Sequence, residues 1–232
     1  MKVVLLPGLD GTGILFKPFI EALPKNIETL VISYPRTEKQ NYGELVSYVT
    51  AQLPEEDYIL VGESFSGNIA YQIALSNPKH LKSIIFVASF LSNPSPLLLA
   101  LANYLPMKII LSVPPPKFII KTFMLGASTK NNIIQLFLEA LKQVSPEVLS
   151  FRLKEIKNLK MCSQQCEVEA TYIQATNDYL VPQKSVASFE KLFSNLSVHK
   201  VSGSHFILQS KPVECGKIVE KQYLTSALKT TH

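Results

Sequence analysis

Short apolar runs recur along the chain at residues 3–6, 29–33, 58–61, 84–88, 171–174 and 198–201. Most are rich in Val, Ile and Leu and do not alternate polar with apolar, as strands covered on both faces read. Helix-period stretches lie between them. Phe16, Phe19, Ile20 and Leu23 fall at i, i+3, i+4, i+7, and Tyr42, Leu45, Val46 and Val49 repeat that spacing. Ile69, Ile73 and Ala74 mark a third helix that ends at Asn77-Pro78. Val186, Phe189 and Phe193 mark another, and Cys215, Ile218 and Val219 the last. Alternating strands and helices predict an α/β fold with right-handed crossovers and a mostly parallel, six-stranded sheet with helices on both faces. The 232 residues, 47% of them hydrophobic, suffice for one large domain or one domain with a substantial insertion.

Residues 92–159 break the rhythm. They hold prolines at 94, 96, 106 and 114–116 and helical stretches at 132–144 and 146–156, without a strand pattern. This segment reads as a helical cap inserted between the fourth and fifth strands, so that residues 1–91 and 160–232 form the core. Its apolar residues, among them 97–99, 109–111 and 118–120, exceed what a short surface hairpin needs. The surplus is expected to line an apolar pocket. The segment is also basic: over residues 92–142 five lysines (108, 117, 121, 130 and 142) face one acid, Glu139. The plain reading is a solvated lysine face; the alternative is attraction to anionic head groups and peripheral membrane contact.

Several function classes are excluded. A nucleic-acid module would show a denser basic stripe. The uncharged stretch 95–107 has 13 residues and two prolines, too short to span a membrane. The run 3–6 passes into Pro7-Gly8 and does not read as a signal peptide. Three cysteines suit a reducing compartment and a cytoplasmic location. Cys162 and Cys166 have no nearby His or further Cys, so no metal site is expected there.

The strongest motif is Val61-Gly62-Glu63-Ser64-Phe65-Ser66-Gly67-Asn68, after an apolar strand and before a helix. A G-x-S-x-G turn in that setting lifts the serine hydroxyl above the sheet end. Small neighbours are needed because side chains there would collide with the strand or helix. Ser66 stands where the last glycine usually does; its small size still permits the turn. A second motif, residues 5–13, reads Leu-Leu-Pro-Gly-Leu-Asp-Gly-Thr-Gly, again after a strand. Acyl transfer needs two N–H donors aimed at the developing oxyanion. Phe65, after the serine, is the candidate for one and Leu9 for the other. The loop lacks the Lys-Ser/Thr or G-x-G-x-x-G ending of a phosphate cradle.

The serine's partners emerge by elimination among four histidines and three aspartates. His232 is terminal, His80 lies beside Pro78, and His199 falls within a predicted strand. His205 follows the last strand on a loop before the final helix. Asp57 precedes the serine's strand at its far end, and Asp10 belongs to the glycine loop. Asp178 follows the fifth strand. The order Ser64, Asp178, His205 is that of a nucleophile, an orienting acid and a general base at the carboxyl ends of parallel strands.

These motifs resemble the α/β-hydrolase superfamily over nearly the whole chain. The resemblance implies a compact member without the two N-terminal strands of larger ones, a Ser-His-Asp triad, no cofactor and a small-molecule substrate. The implied reaction is cleavage of a carboxylic ester or thioester of a hydrophobic acyl group through an acyl-enzyme. Many members have His where Pro7 stands. The pairing of residues 5–13 with Gly-Glu-Ser-Phe-Ser-Gly is also similar to phytyl-ester-synthase-like proteins, which hints at lipid-like acyl substrates. An acyltransferase using the same triad is an alternative, and a binding protein that keeps the fold without catalysis is another.

Overall fold

The computed structural model describes residues 1–95, 131–160 and 162–230. Six strands form one sheet: β1 (Lys2–Leu6), β2 (Thr29–Val31), β3 (Tyr58–Glu63), β4 (Leu81–Val87), β5 (Ala170–Ala175) and β6 (Leu196–Val201). Their order is β2-β1-β3-β4-β5-β6, and every pair is parallel. All six expected strands are present. In register, Leu6 pairs with Gly62, Glu63 with Val87, and Val87 with Ile173. The carboxyl ends therefore lie along one edge, and the loops that carry Leu9, Ser64, Asp178 and His205 leave the sheet there.

The sheet separates two cores because successive side chains on a strand face opposite ways. On one face Val4, Leu60, Ile84, Phe86 and Tyr172 pack under α2 (Tyr42–Thr50), α3 (Ser66–Leu75) and α6 (Val186–Leu192). On the other, Val3, Leu5, Ile59, Val61, Ile85 and Ile173 pack under α1 (Lys17–Ala22), α7 (Ile207–Ser210) and α8 (Pro212–Thr230). Both faces of β1, β3 and β4 are thus buried, which explains their continuous apolar runs. β6 lies at the edge and is mostly exposed, so its Lys200 and His199 are tolerated.

Local signals set the helix ends. Asn41 accepts the Glu44 amide at 2.9 Å while Glu44 reaches back to the Asn41 amide at 2.8 Å, a capping box that starts α2. α3 closes at Asn77, whose φ of 47° is the left-handed conformation that precedes Pro78. Two differences from the expected strands have physical causes. The run 29–33 leaves the sheet after Val31 because Ser33 and Tyr34 turn away to bond the glycine loop. The run 84–88 ends at Val87 because Ala88 takes a φ of 45°.

Between β4 and β5, α4 (Asn131–Lys142) and α5 (Pro146–Asn158) occupy the second part of the inserted segment. α5 starts at Ser145, whose hydroxyl accepts the Val148 amide, with Pro146 in the first turn. The apolar residues 97–125 and Lys108, Lys117, Lys121 and Lys130 lie outside the described residues. Among the described residues no helix is long and apolar enough to cross a membrane.

Phe86 tests the packing. It is fully buried, with ring centroids of Phe189 at 4.6 Å and Phe193 at 5.2 Å. Phe86→Ala should cost about 3–5 kcal/mol, read as a lower denaturant midpoint at unchanged slope.

Candidate active site

Ser64 follows β3 directly and adopts φ 49°, uncommon for a residue with a Cβ. Its N–H donates to the Val87 carbonyl at 2.8 Å, and its carbonyl accepts from the Gly67 N–H at 3.1 Å. The turn closes only with small neighbours. A Cβ on Gly62 would lie 2.9 Å from the Ser66 carbonyl oxygen, and one on Gly67 would lie 2.6 Å from the Ser89 Cβ. The glycine required by close packing against the end of β4 is therefore Gly67, so position 66 is free to carry a hydroxyl.

That hydroxyl has a structural use beyond its small size. Ser66 Oγ donates to the Pro7 carbonyl. With its proton so engaged, it accepts from the Tyr34 hydroxyl at 2.5 Å. Ser66 thereby ties the helix start to the glycine loop.

The three residues singled out from the sequence meet in space. His205 Nε2 is 2.9 Å from Ser64 Oγ, and His205 Nδ1 is 2.7 Å from Asp178 Oδ2. The Asp178 and His205 side chains are almost wholly buried. Asp178 is held from behind, because its Oδ1 accepts the N–H groups of Leu180 and Val181, each at 2.8 Å. A carboxylate acceptor at Nδ1 fixes the hydrogen there and leaves Nε2 to accept a hydrogen bond from the Ser64 hydroxyl. The discarded residues lie elsewhere or serve otherwise. Asp57 pairs with His80 and Lys82, each at 3.2 Å, beyond the opposite end of the sheet. Asp10 turns its Oδ2 to the Thr12 N–H and hydroxyl. His199 sits in the edge strand opposite Ile173, and His232 lies outside the described residues.

The glycine loop runs beside Ser64: a Cβ on Gly8 would be 3.9 Å from the Ser64 Cβ and 3.9 Å from Glu63 Oε2. Phe65 is buried, its ring stacked on Tyr42 at 4.7 Å and edge-on to Tyr34 at 6.4 Å. The backbone N–H groups of Phe65 and Leu9 make no hydrogen bond among the described residues.

Sequence reasoning did not assign roles to Glu63, Gln209 or Arg152. Glu63 is buried beneath the serine and accepts from Gln209 Nε2 at 2.9 Å. Burial pushes its carboxyl up to about 7; the Gln209 hydrogen bond opposes this, and the charge of Asp10 adds to it. Around His205, burial disfavours the imidazolium, but the charge and hydrogen bond of Asp178, joined by the charge of Glu63, hold its pKa above the ordinary value. The one signal for Glu63 was its place in the middle of the serine motif. Nothing in the pattern around Arg152 marks it.

No family model matches the sequence, and no curated protein matches it. Solved structures do match. A thermophilic esterase, 20% identical, aligns over 97% of this chain and 90% of its own with a TM-score of 0.77. An esterase from Exiguobacterium antarcticum, 12% identical, aligns over 96% and 91% with a TM-score of 0.77. A thioesterase from the prodiginine pathway of Streptomyces coelicolor, 17% identical, aligns over 95% and 88% with a TM-score of 0.68. The chain has the α/β-hydrolase fold.

The charge of Glu63 gives a direct prediction. Glu63→Gln should lower the His205 pKa, read by NMR titration of its imidazole protons. The parent's buried carboxyl ionises later in the folded chain than in the unfolded one. Its stability should therefore fall as pH rises from 4.5 to about 7, and the variant should gain relative to it across that window. An unmoved His205 titration would contradict the assignment.

Proposed function

We propose that the chain is a serine hydrolase that cleaves a carboxylic ester or thioester of a hydrophobic acyl group. The observation that carries this reading is the hydrogen-bonded chain Ser64–His205–Asp178 at the carboxyl ends of β3, β5 and β6. His205 takes the Ser64 proton as the hydroxyl attacks the carbonyl. Asp178 holds the tautomer and stabilises the imidazolium. The N–H groups of Phe65 and Leu9 receive the oxyanion. His205 then returns the proton to the leaving alcohol or thiol, and a water that it activates releases the acyl group. The residues present accomplish this without a cofactor. If an alcohol outcompetes that water, the same site performs acyl transfer.

In this reading residues 92–159 form a cap over the site. Two contacts support it. The side chain of Leu9 packs with Val144, Val148 and Leu149 of the segment. Phe206, next to His205, meets Phe137 of α4 with ring centroids 5.3 Å apart. The apolar composition of residues 97–125 supports an acyl pocket, and the lysines of the segment support attraction to anionic surfaces.

Ser64→Ala should abolish covalent labelling by a fluorophosphonate and lower kcat by roughly 10³–10⁶-fold. His205→Ala should be comparably damaging and Asp178→Ala somewhat less. A folded Ser64→Ala with parental esterase activity would overturn the proposal. The acyl group is tested separately with p-nitrophenyl esters from acetate to dodecanoate at low and high salt. Each buried methylene should favour the longer ester by up to about 0.8 kcal/mol until the pocket fills. A profile that peaks at acetate and falls with length would reject the acyl pocket and leave the triad standing.

A further inference from the structure

The loop at residues 7–13 turns sharply beside Ser64, and each of its carbonyl oxygens accepts a hydrogen bond. The Ser66 hydroxyl donates to Pro7. The Gly11 N–H donates to Gly8 at 3.0 Å, Tyr34 N–H to Gly11 at 2.7 Å and Phe16 N–H to Gly13 at 3.1 Å. The Ser33 hydroxyl donates to Thr12 at 2.7 Å. The carbonyls of Leu9 and Asp10 are both taken by Arg152 Nη1, at 2.9 Å and 2.8 Å, while Nη2 donates to the Pro35 carbonyl at 2.9 Å.

Arg152 lies on α5 in the inserted segment and is 2% exposed. Its guanidinium sits 5.5 Å from the centre of the Tyr34 ring. Gly11, at φ +70°, makes room for it, since a Cβ there would lie 2.5 Å from Nη1. Burying a cation is costly, and here the cost is offset by three hydrogen bonds to backbone carbonyls that an apolar side chain could not make. These hydrogen bonds all go to backbone carbonyls, for which the planar fork of arginine is suited and the point charge of lysine is not.

What the arrangement fixes is Leu9. Arg152 holds its carbonyl, and Val148 and Leu149 of the same helix hold its side chain. Its N–H is left without a protein acceptor among the described residues. We infer that Arg152 is a positioning residue, reaching out of the inserted segment to clamp the Leu9 backbone so that its N–H faces the oxyanion of the transition state. This rests on the reading of Ser64 as nucleophile and Leu9 as oxyanion donor. The inserted segment then completes the reaction centre as well as covering it.

The test compares Arg152→Gln and Arg152→Lys with the parent. Turnover of a p-nitrophenyl ester is counted per site titrated by a fluorophosphonate, and a trifluoromethyl ketone probes oxyanion binding. A misplaced donor should lower kcat of Arg152→Gln about 100-fold with KM held within about threefold. Trifluoromethyl ketone affinity should weaken in step with kcat/KM. Arg152→Lys, which keeps the charge without the fork, should fall between the two, at about tenfold. If Arg152 serves the fold alone, the variants melt earlier or yield less titratable enzyme but keep kcat per site within about twofold and bind the ketone as the parent does. That result, in either variant, overturns the inference. Failure of the underlying reading is distinguishable, because it appears in the parent as no fluorophosphonate adduct on Ser64.

Discussion

The left-handed backbone of Ser64 is the point on which the structure turns. A residue with a Cβ held there costs of order 1–3 kcal/mol and persists only when its surroundings over-determine it. Here they do. The Val87 carbonyl holds its N–H, the Gly67 N–H holds its carbonyl, and β3 and α3 are each packed into the core on either side. The same turn sets where the Ser64 hydroxyl lies. It projects Oγ beyond the sheet edge toward His205, and the Phe65 N–H makes no hydrogen bond among the described residues.

Charge is managed by burial as much as by pairing. Asp178 and His205 sit almost out of water, so their contact counts for more than a surface pair would. Glu63 lies just below, its carboxyl raised to about 7 by burial. When ionised it supports the imidazolium of His205, and when protonated it does not. Besides Asp178, the site therefore has a second carboxyl, one whose ionisation burial shifts well above the ordinary carboxylate range. On the opposite flank a guanidinium, Arg152, offsets the carbonyl dipoles of the glycine loop.

The order of elements was legible because β1, β3 and β4 are buried on both faces and so read as unbroken apolar runs. Ser64, Asp178 and His205 were singled out because each follows a predicted strand at its carboxyl end, although the strand before His205 is an exposed edge strand and not an unbroken apolar run. Side chains that work across long sequence separations left no local mark. Arg152 looks like any polar residue on an amphipathic helix, and only the fold brings it to Leu9. Ser66 read as a tolerated departure from glycine, whereas its hydroxyl bonds a carbonyl 59 positions away. The end of β2 was misplaced by two residues for the same reason: Ser33 and Tyr34 are drawn off by the loop, which periodicity does not register.

The central claim is that Ser64 carries the acyl group. Rapid quenching of the protein in acid during turnover of a p-nitrophenyl ester, followed by peptide mass mapping, tests it directly. The account predicts a burst of p-nitrophenol and one acyl adduct, on the peptide that contains Ser64. Turnover with the acyl group on another residue, or turnover that persists in Ser64→Ala with no adduct at all, would contradict it.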